Sequence, residues 1–184
     1  MIIGLTGTKG SGKGEISKNL KERGFIYSSL SDRVREEAKG IGLTDYITKD
    51  LQDIGDKLRR KYGNSVLAKI TMKNLSLEER DHVIDGIRNT GEIEYLRELG
   101  DFILIAIDSK KILRFNRIIR RNRSSDIRTW EDFLEIDKRD LGFDKSKGQE
   151  VKKCINEADY KINNNGNLSE LYYKINKLLR RILI

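Results

Sequence analysis

The chain has 184 residues, of which 37% are hydrophobic and 36% charged, a size and balance that fit one domain with a real core. Its 37 Lys and Arg against 29 Asp and Glu largely cancel to +8. That argues against disorder and points to an anionic partner, either nucleic acid or small phosphorylated molecules.

The opening Met1-Ile2-Ile3-Gly4 has no basic flank ahead of a long apolar segment, which predicts no secretory leader. The longest apolar run, 102–107, is six residues, and a membrane span needs roughly 20. A single cysteine, Cys154, has no partner for an internal disulfide, which fits a reducing, cytoplasmic setting. Proline is absent where average usage would give roughly nine, so turns fall to Gly and Asn.

Residues 2–5 predict the first strand, and Gly7-Thr8-Lys9-Gly10-Ser11-Gly12-Lys13-Gly14 follows it directly. The bare G-x-x-x-x-G-K spacing would arise by chance about 0.06 times in a chain of this length. Here it also follows an apolar strand and opens a helical segment at 15–22, the context that marks a phosphate-binding loop. The glycines allow positive φ and close backbone approach, and the helix N-terminus adds partial positive charge. Lys13 supplies a mobile point charge for β- and γ-phosphate oxygens. The expected binding set is Gly7, Thr8, Lys9, Gly10, Ser11, Gly12, Lys13, Gly14 and Glu15, with ATP and Mg²⁺ as the ligands. Gly14 stands where a Ser or Thr normally coordinates the metal, so waters or an aspartate must hold the ion.

A second strand at 25–27 leads to Ser31-Asp32-Arg33-Val34-Arg35, and a third at 82–85 leads into Asp85-Gly86-Ile87-Arg88. Both motifs bring an arginine to the edge where a parallel sheet binds ligands. The planar forks of Arg35 and Arg88 could clamp a second phosphate, and Asp85 could hold Mg²⁺ through waters. Plainer readings stand beside these. Asp85 could cap a helix, Asp32 could cap the helix it begins, and Arg35 and Arg88 could form surface ion pairs. Helical periodicity runs over 49–62 and 92–99, closed by Gly63 and Gly100.

The fourth strand, 102–108, ends in Asp108, which beside Ser109 reads as a helix start. From Lys110 to Arg123 there are seven cations and no acid. Arg114, Arg117 and Arg120 advance by three, interleaved with Ile112, Phe115, Ile118 and Ile119, which predicts an apolar seam flanked by guanidinium groups. A nucleic-acid track and a solvated basic face are competing readings of that run. Thr129 to Asp132 predicts a helix cap, with Trp130 packing locally. His82 and Cys154 read as structural residues. A fifth strand at 160–162 precedes a last helix, whose stripe from Leu168 to Ile182 packs on a sheet. Strands alternating with helices predict a three-layer αβα domain over 1–184.

These motifs resemble the nucleoside monophosphate kinases. Ser31-Asp32-x-x-Arg35 is similar to their acceptor segment, and Asp85-Gly86-Ile87-Arg88 to their Asp-Gly-Phe-Pro-Arg, one residue shorter. Ile3-Gly4-Leu5-Thr6-Gly7 and the stretch from Ala158 to Gly166 look more like dephospho-coenzyme A kinases. The chain as a whole is most similar to small, mainly archaeal P-loop proteins of unassigned substrate. The resemblance implies a five-stranded parallel sheet, a helical acceptor-binding insert near 31–80 and a mobile lid near 114–148. Arg117, Arg120 or Arg121 would then reach across the transferring phosphoryl group. It also implies transfer from ATP to a small phosphorylated acceptor, a nucleoside or deoxynucleoside monophosphate. Dephospho-coenzyme A is the alternative acceptor, with Asp32 as its base, and a nucleotide-dependent nucleic-acid-binding protein is the second alternative.

Overall fold

The computed structural model describes residues 1–73, 75, 81–123, 126–143 and 148–183. Of the ranges expected for an insert and a lid, 74, 76–80, 124–125 and 144–147 lie outside the described residues.

Five strands, β1 (Ile2–Thr6), β2 (Ile26–Ser29), β3 (His82–Ile87), β4 (Phe102–Asp108) and β5 (Tyr160–Asn163), form one sheet in the order β2-β3-β1-β4-β5. Every pairing is parallel, so all five carboxyl ends share one edge. The expected five-stranded parallel α/β fold is the observed one. The second strand begins one residue later than its apolar run suggests and extends to Ser29.

Alternation along the strands builds two cores. Ile3, Leu5, Val83, Ile105 and Ile107 face α1 (Lys13–Glu22) and α9 (Leu168–Ile182). Ile2, Ile84, Ile87 and Leu104 face α2 (Leu30–Gly40), α3 (Thr48–Tyr62), α4 (Val66–Lys73), α5 (Thr90–Glu98) and α8 (Val151–Glu157). Each fully buried aliphatic side chain contributes about 1.5–3 kcal/mol. Cys154 belongs to the second core, and burial pushes its thiol pKa well up, so it packs as a small apolar residue. The α9 stripe packs as expected through Leu171, Ile175, Leu178 and Leu179, while Leu168 stays exposed.

A third cluster joins α6 (Lys111–Arg121) to α7 (Trp130–Asp140). Trp130 stacks on Phe133 at 5.2 Å between ring centres and meets Phe115 edge-on. Thr129 caps α7, its hydroxyl accepting from Asp132 N. The expected seam on α6 holds only in part: Phe115 and Ile118 pack in this cluster, whereas Ile112 and Ile119 are exposed and Arg114 is buried in their stead. Arg114 takes the inward place because Asp137 of α7 receives its fork at 2.5 and 2.9 Å, which removes the cost of burying the charge. Asp108 does not start α6 either. Its carboxylate accepts from Ser109 N, and the helix is entered at Lys110 without a side-chain cap.

At the ligand edge, β3 carries a bulge. Leu5 pairs with Asp85 and Thr6 with Ile87, so Gly86 is the extra residue, at φ +85°. Just beyond it, the fully buried Glu92 of α5 holds the chain. One carboxylate oxygen accepts from Arg59 of α3 at 2.7 and 3.1 Å, and the other from the backbone N–H groups of Arg88 and Asn89 at 2.8 and 3.1 Å. Removing one partner of a buried charge pair costs about 3–5 kcal/mol, because the other charge is left without compensation. Glu92→Ala should therefore lower the unfolding free energy by about that much in urea denaturation, whereas Glu92→Gln, which keeps an acceptor oxygen, should lower it less.

Candidate functional site

One cleft of about 1330 Å³ opens at the carboxyl edge of the sheet, lined by the glycine loop, by α2 and α3, by the end of β3 and by α6. The loop is built by exclusion of side chains. At Gly7 (φ +135°) a Cβ would stand 2.0 Å from the Ile107 carbonyl oxygen, and at Gly12 (φ +111°) one would stand 2.3 Å from Asn164 Nδ2. The chain therefore lies against β4 and the end of β5 where only glycine fits. Gly12 also forms the N-cap of α1 with no side-chain cap, leaving that terminus for a ligand. Thr8 Oγ1 and Ser11 Oγ are buried with no hydrogen-bond partner among the described residues.

Lys13 folds back over the loop, donating to the Gly7 and Thr8 carbonyl oxygens at 2.6 and 3.0 Å. Burial pushes its pKa down to about 8, against the pull of the Asp85 carboxylate. Lys9, also of the loop, is likewise held near 8, burial outweighing the attraction of Asp126. Asp85 sits where β3 bulges, with Oδ1 buried and unbonded among the described residues. A carboxylate oxygen left open in this way could hold metal-bound water. Among the described residues no three His, Cys, Asp or Glu side chains converge on one point.

The expected residues do not all take their expected places. Gly7 to Gly14, Lys13 and Asp85 come together as read. Glu15 also lines the cleft, exposed at its rim, and accepts from the Tyr172 hydroxyl at 3.2 Å. Ser31, Asp32 and Arg35 line the cleft from α2, but Arg35 lies on the second turn of that helix, not directly after β2. Its Nη1 donates to Asp32 Oδ1 at 2.6 Å, and Ser29, not Asp32, caps the helix. Arg88 follows β3 directly. Its Nη1 donates to Asp140 Oδ1 at 3.0 Å and to Gln149 Oε1 at 3.2 Å, while Nε and Nη2 make no bond among the described residues. Asp140 keeps that guanidinium firmly charged.

The α6 arginines diverge. Arg117 turns to the end of β5, donating to Ser109 Oγ and to the carbonyl oxygens of Asn164 and Gly166. Arg121 grips Asp126 in a two-pronged pair at 2.6 and 2.8 Å. Arg120 is exposed at the rim, with no partner among the described residues.

Sequence reasoning missed several residues here. Asn164 donates from its amide to the Ser11 carbonyl at 2.8 Å, stapling the loop to the end of β5. Asp140, Gln52 and Gln149 surround Arg88, and Gln52 Nε2 donates to the same Asp140 oxygen at 2.5 Å. Gln52 and Asp140 are marked only as polar residues on the buried faces of helices, Asn164 belongs to the stretch from Ala158 to Gly166 that carried a resemblance, and Gln149 lies in a loop that no local motif marks.

Residues 3–164 match the family described as an AAA domain. The UPF0200 protein of Pyrococcus horikoshii is 36% identical to this chain, over 100% of it and 98% of the relative. Among solved structures, shikimate kinase from Acinetobacter baumannii in complex with shikimate superposes with a TM-score of 0.58 at 17% identity, covering 98% of this chain and 93% of that one. A gluconokinase from Sinorhizobium meliloti gives 0.57 at 14% identity, covering 98% and 91%. The fold is that of the P-loop kinase-like proteins. No helix among the described residues is long and apolar enough to cross a membrane.

The depressed Lys13 pKa fixes the sign of a pH effect. Below about 8 the ammonium is charged; above it the group is neutral, although in free solution it would stay charged to about 10.5. A bound polyphosphate favours the charged form, so binding takes up protons near pH 8. Affinity for tripolyphosphate should fall as the pH rises through 8 towards 10, with a buffer-dependent binding enthalpy in calorimetry. In Lys13→Arg that fall should be shallower.

Proposed function

The chain belongs to the AAA-domain family and to the UPF0200 proteins, and on that footing we propose that it is an ATP-dependent phosphotransferase acting on a small phosphorylated acceptor, a nucleoside or deoxynucleoside monophosphate. One observation carries the reading. The glycine loop with its half-buried lysine lines one cleft together with Arg35 and Arg88, and the Asp85 carboxylate attracts both Lys13 and Arg88. That is one seat for a polyphosphate and a second for another anion.

In this reading the ATP tail lies on residues 7–14. Thr8 Oγ1 and Ser11 Oγ gain the partners they lack, and Lys13 exchanges two carbonyl oxygens for β- and γ-phosphate oxygens. Mg²⁺, when bound, neutralises charge between those phosphates; Asp85 Oδ1, buried and unbonded, fits as the residue that holds its waters. Arg88, through Nε and Nη2, and Arg35, once drawn from Asp32, orient the acceptor phosphate. An acceptor oxygen bonds to the γ-phosphorus as the bond to the β,γ-bridging oxygen breaks, and that electron pair leaves with ADP. A phosphate nucleophile needs no base, so the residues contribute position and charge. The cleft-lining Asp32 supports a second reading, transfer to the 3′-hydroxyl of dephospho-coenzyme A, where a carboxylate would take the proton.

The test is ADP release from ATP over all ribo- and deoxynucleoside monophosphates and dephospho-coenzyme A. Lys13→Ala should lower acceptor-dependent turnover by at least ~10²-fold with an unchanged melting temperature; turnover at the wild-type rate would remove the loop from the reaction. Arg88→Lys keeps a cation beside Asp140 but loses the planar fork. It should raise the acceptor KM or lower kcat by roughly tenfold with ATP affinity intact.

A further inference from the structure

Lys9 is the loop residue whose role neither the glycine motif nor the reading above explains. Its side chain is only 16% exposed, and Nζ lies 3.3 Å from Asp126 Oδ1. The same ammonium donates to the hydroxyl of Thr48, the first residue of α3. Lys9 therefore reaches out of the donor loop to the two walls that flank the space above it.

Asp126 is the second part of the observation. Its side chain is 2% exposed, and it also receives Nε and Nη2 of Arg121 at 2.6 and 2.8 Å. Burial disfavours its charge, but the Arg121 pair outweighs burial and holds the carboxyl below the usual range. One buried anion thus gathers an ammonium and a guanidinium that both line the cleft, and the fields of Arg88 and Asp140 also reach that ammonium. Two cations converging on one carboxylate, Arg121 on both oxygens and Lys9 on Oδ1, form a receptor for an oxyanion of similar reach. A transferring phosphoryl, with charge on three equatorial oxygens, answers that receptor better than one carboxylate does.

We propose that Lys9 is a second phosphoryl-contacting cation of the loop, with Asp126 occupying the seat of the transferring group until that group displaces it. Lys13 then serves the tail of the nucleotide, and Lys9 serves the phosphoryl on its acceptor-facing side, where Thr48 keeps the ammonium aimed across the cleft. The low dielectric that depresses the Lys9 pKa also strengthens its attraction for an anion.

This inference rests on the phosphotransfer reading, and the test separates the two. ADP with Mg²⁺ and aluminium fluoride builds a planar mimic of the transferring phosphoryl and needs no knowledge of the acceptor. The wild-type chain should bind ADP at least tenfold more tightly when aluminium fluoride is present; absence of that gain would sink the phosphotransfer reading itself. Given the gain, the fluoride enhancement, taken as each variant's own ratio of ADP affinity with and without aluminium fluoride, should fall tenfold or more in Lys9→Met and Lys9→Gln, while Lys9→Arg retains most of it. An enhancement undiminished in both neutral variants overturns the role of Lys9, as does an equal loss of ADP affinity, which would assign it to the tail. Should a neutral variant fail to fold, Asp126→Asn decides: with the competing charge gone, the fluoride complex should bind at least as tightly as in the wild type, and tenfold weaker binding overturns the proposal.

Discussion

The geometry of the cleft depends on one fully buried carboxylate. Glu92 accepts from the Arg59 guanidinium on one side and from the backbone N–H groups of Arg88 and Asn89 on the other. Those two N–H groups belong to the residues that leave β3, so the direction in which Arg88 departs from the sheet is set by a side chain four residues later. Arg59, in turn, belongs to α3, the helix that forms the opposite wall. A buried ion pair stabilises little in net terms, because both ions are desolvated. Its effect is directional. It fixes the wall and the arginine in one frame, at a place where an apolar contact of the same area would permit sliding.

A chain of shared acceptors extends that frame. Asp140 of α7 receives both Arg88 and Gln52, and Gln52 belongs to α3. Asp56 of α3 receives Arg139 of α7 at 2.7 Å and the Gly148 N–H at 3.0 Å. Arg114 joins α6 to α7 through Asp137 and donates to the Lys9 carbonyl of the loop at 3.3 Å. The glycine loop, the helices between β2 and β3, and the α6–α7 pair are therefore linked by charge-assisted hydrogen bonds, most of them with one buried member. These bonds are short and directional, but they can exchange partners with an incoming anion. An aliphatic interface in the same place could not.

The fold was legible because its signals are local. Period-two apolar runs marked the strands, and glycine spacing marked the loop. Only glycine fits beside Ile107 and Asn164, so the conformation of the loop is written into its residue types. The departures share one cause, which is the pairing of charged and polar side chains, much of it at long range. The cation run 110–123 read as one face, yet Arg114 is buried on Asp137, Arg117 turns to β5 and Arg121 pairs with Asp126. Identical residue types on one helix were sent to different partners that lie up to 105 positions away, and spacing alone carries no information about those partners. The partner of Glu15, Tyr172, is 157 residues distant and was equally beyond reach of local spacing. Asp32 and Arg35 found each other within one turn, the surface-pair alternative that their spacing had left open.

The bulge at Gly86 has a consequence for how this surface can vary. With one residue added between Asp85 and Ile87, the residues on either side of it are out of step with β1, and the Thr6 hydroxyl pins the far side to the Ile87 carbonyl at 2.9 Å. The strand before the bulge and the turn after it are then two separately anchored pieces joined by a pivot without a side chain. Substitutions that retune the turn for a different guest can accumulate there without disturbing the stretch that carries the aspartate.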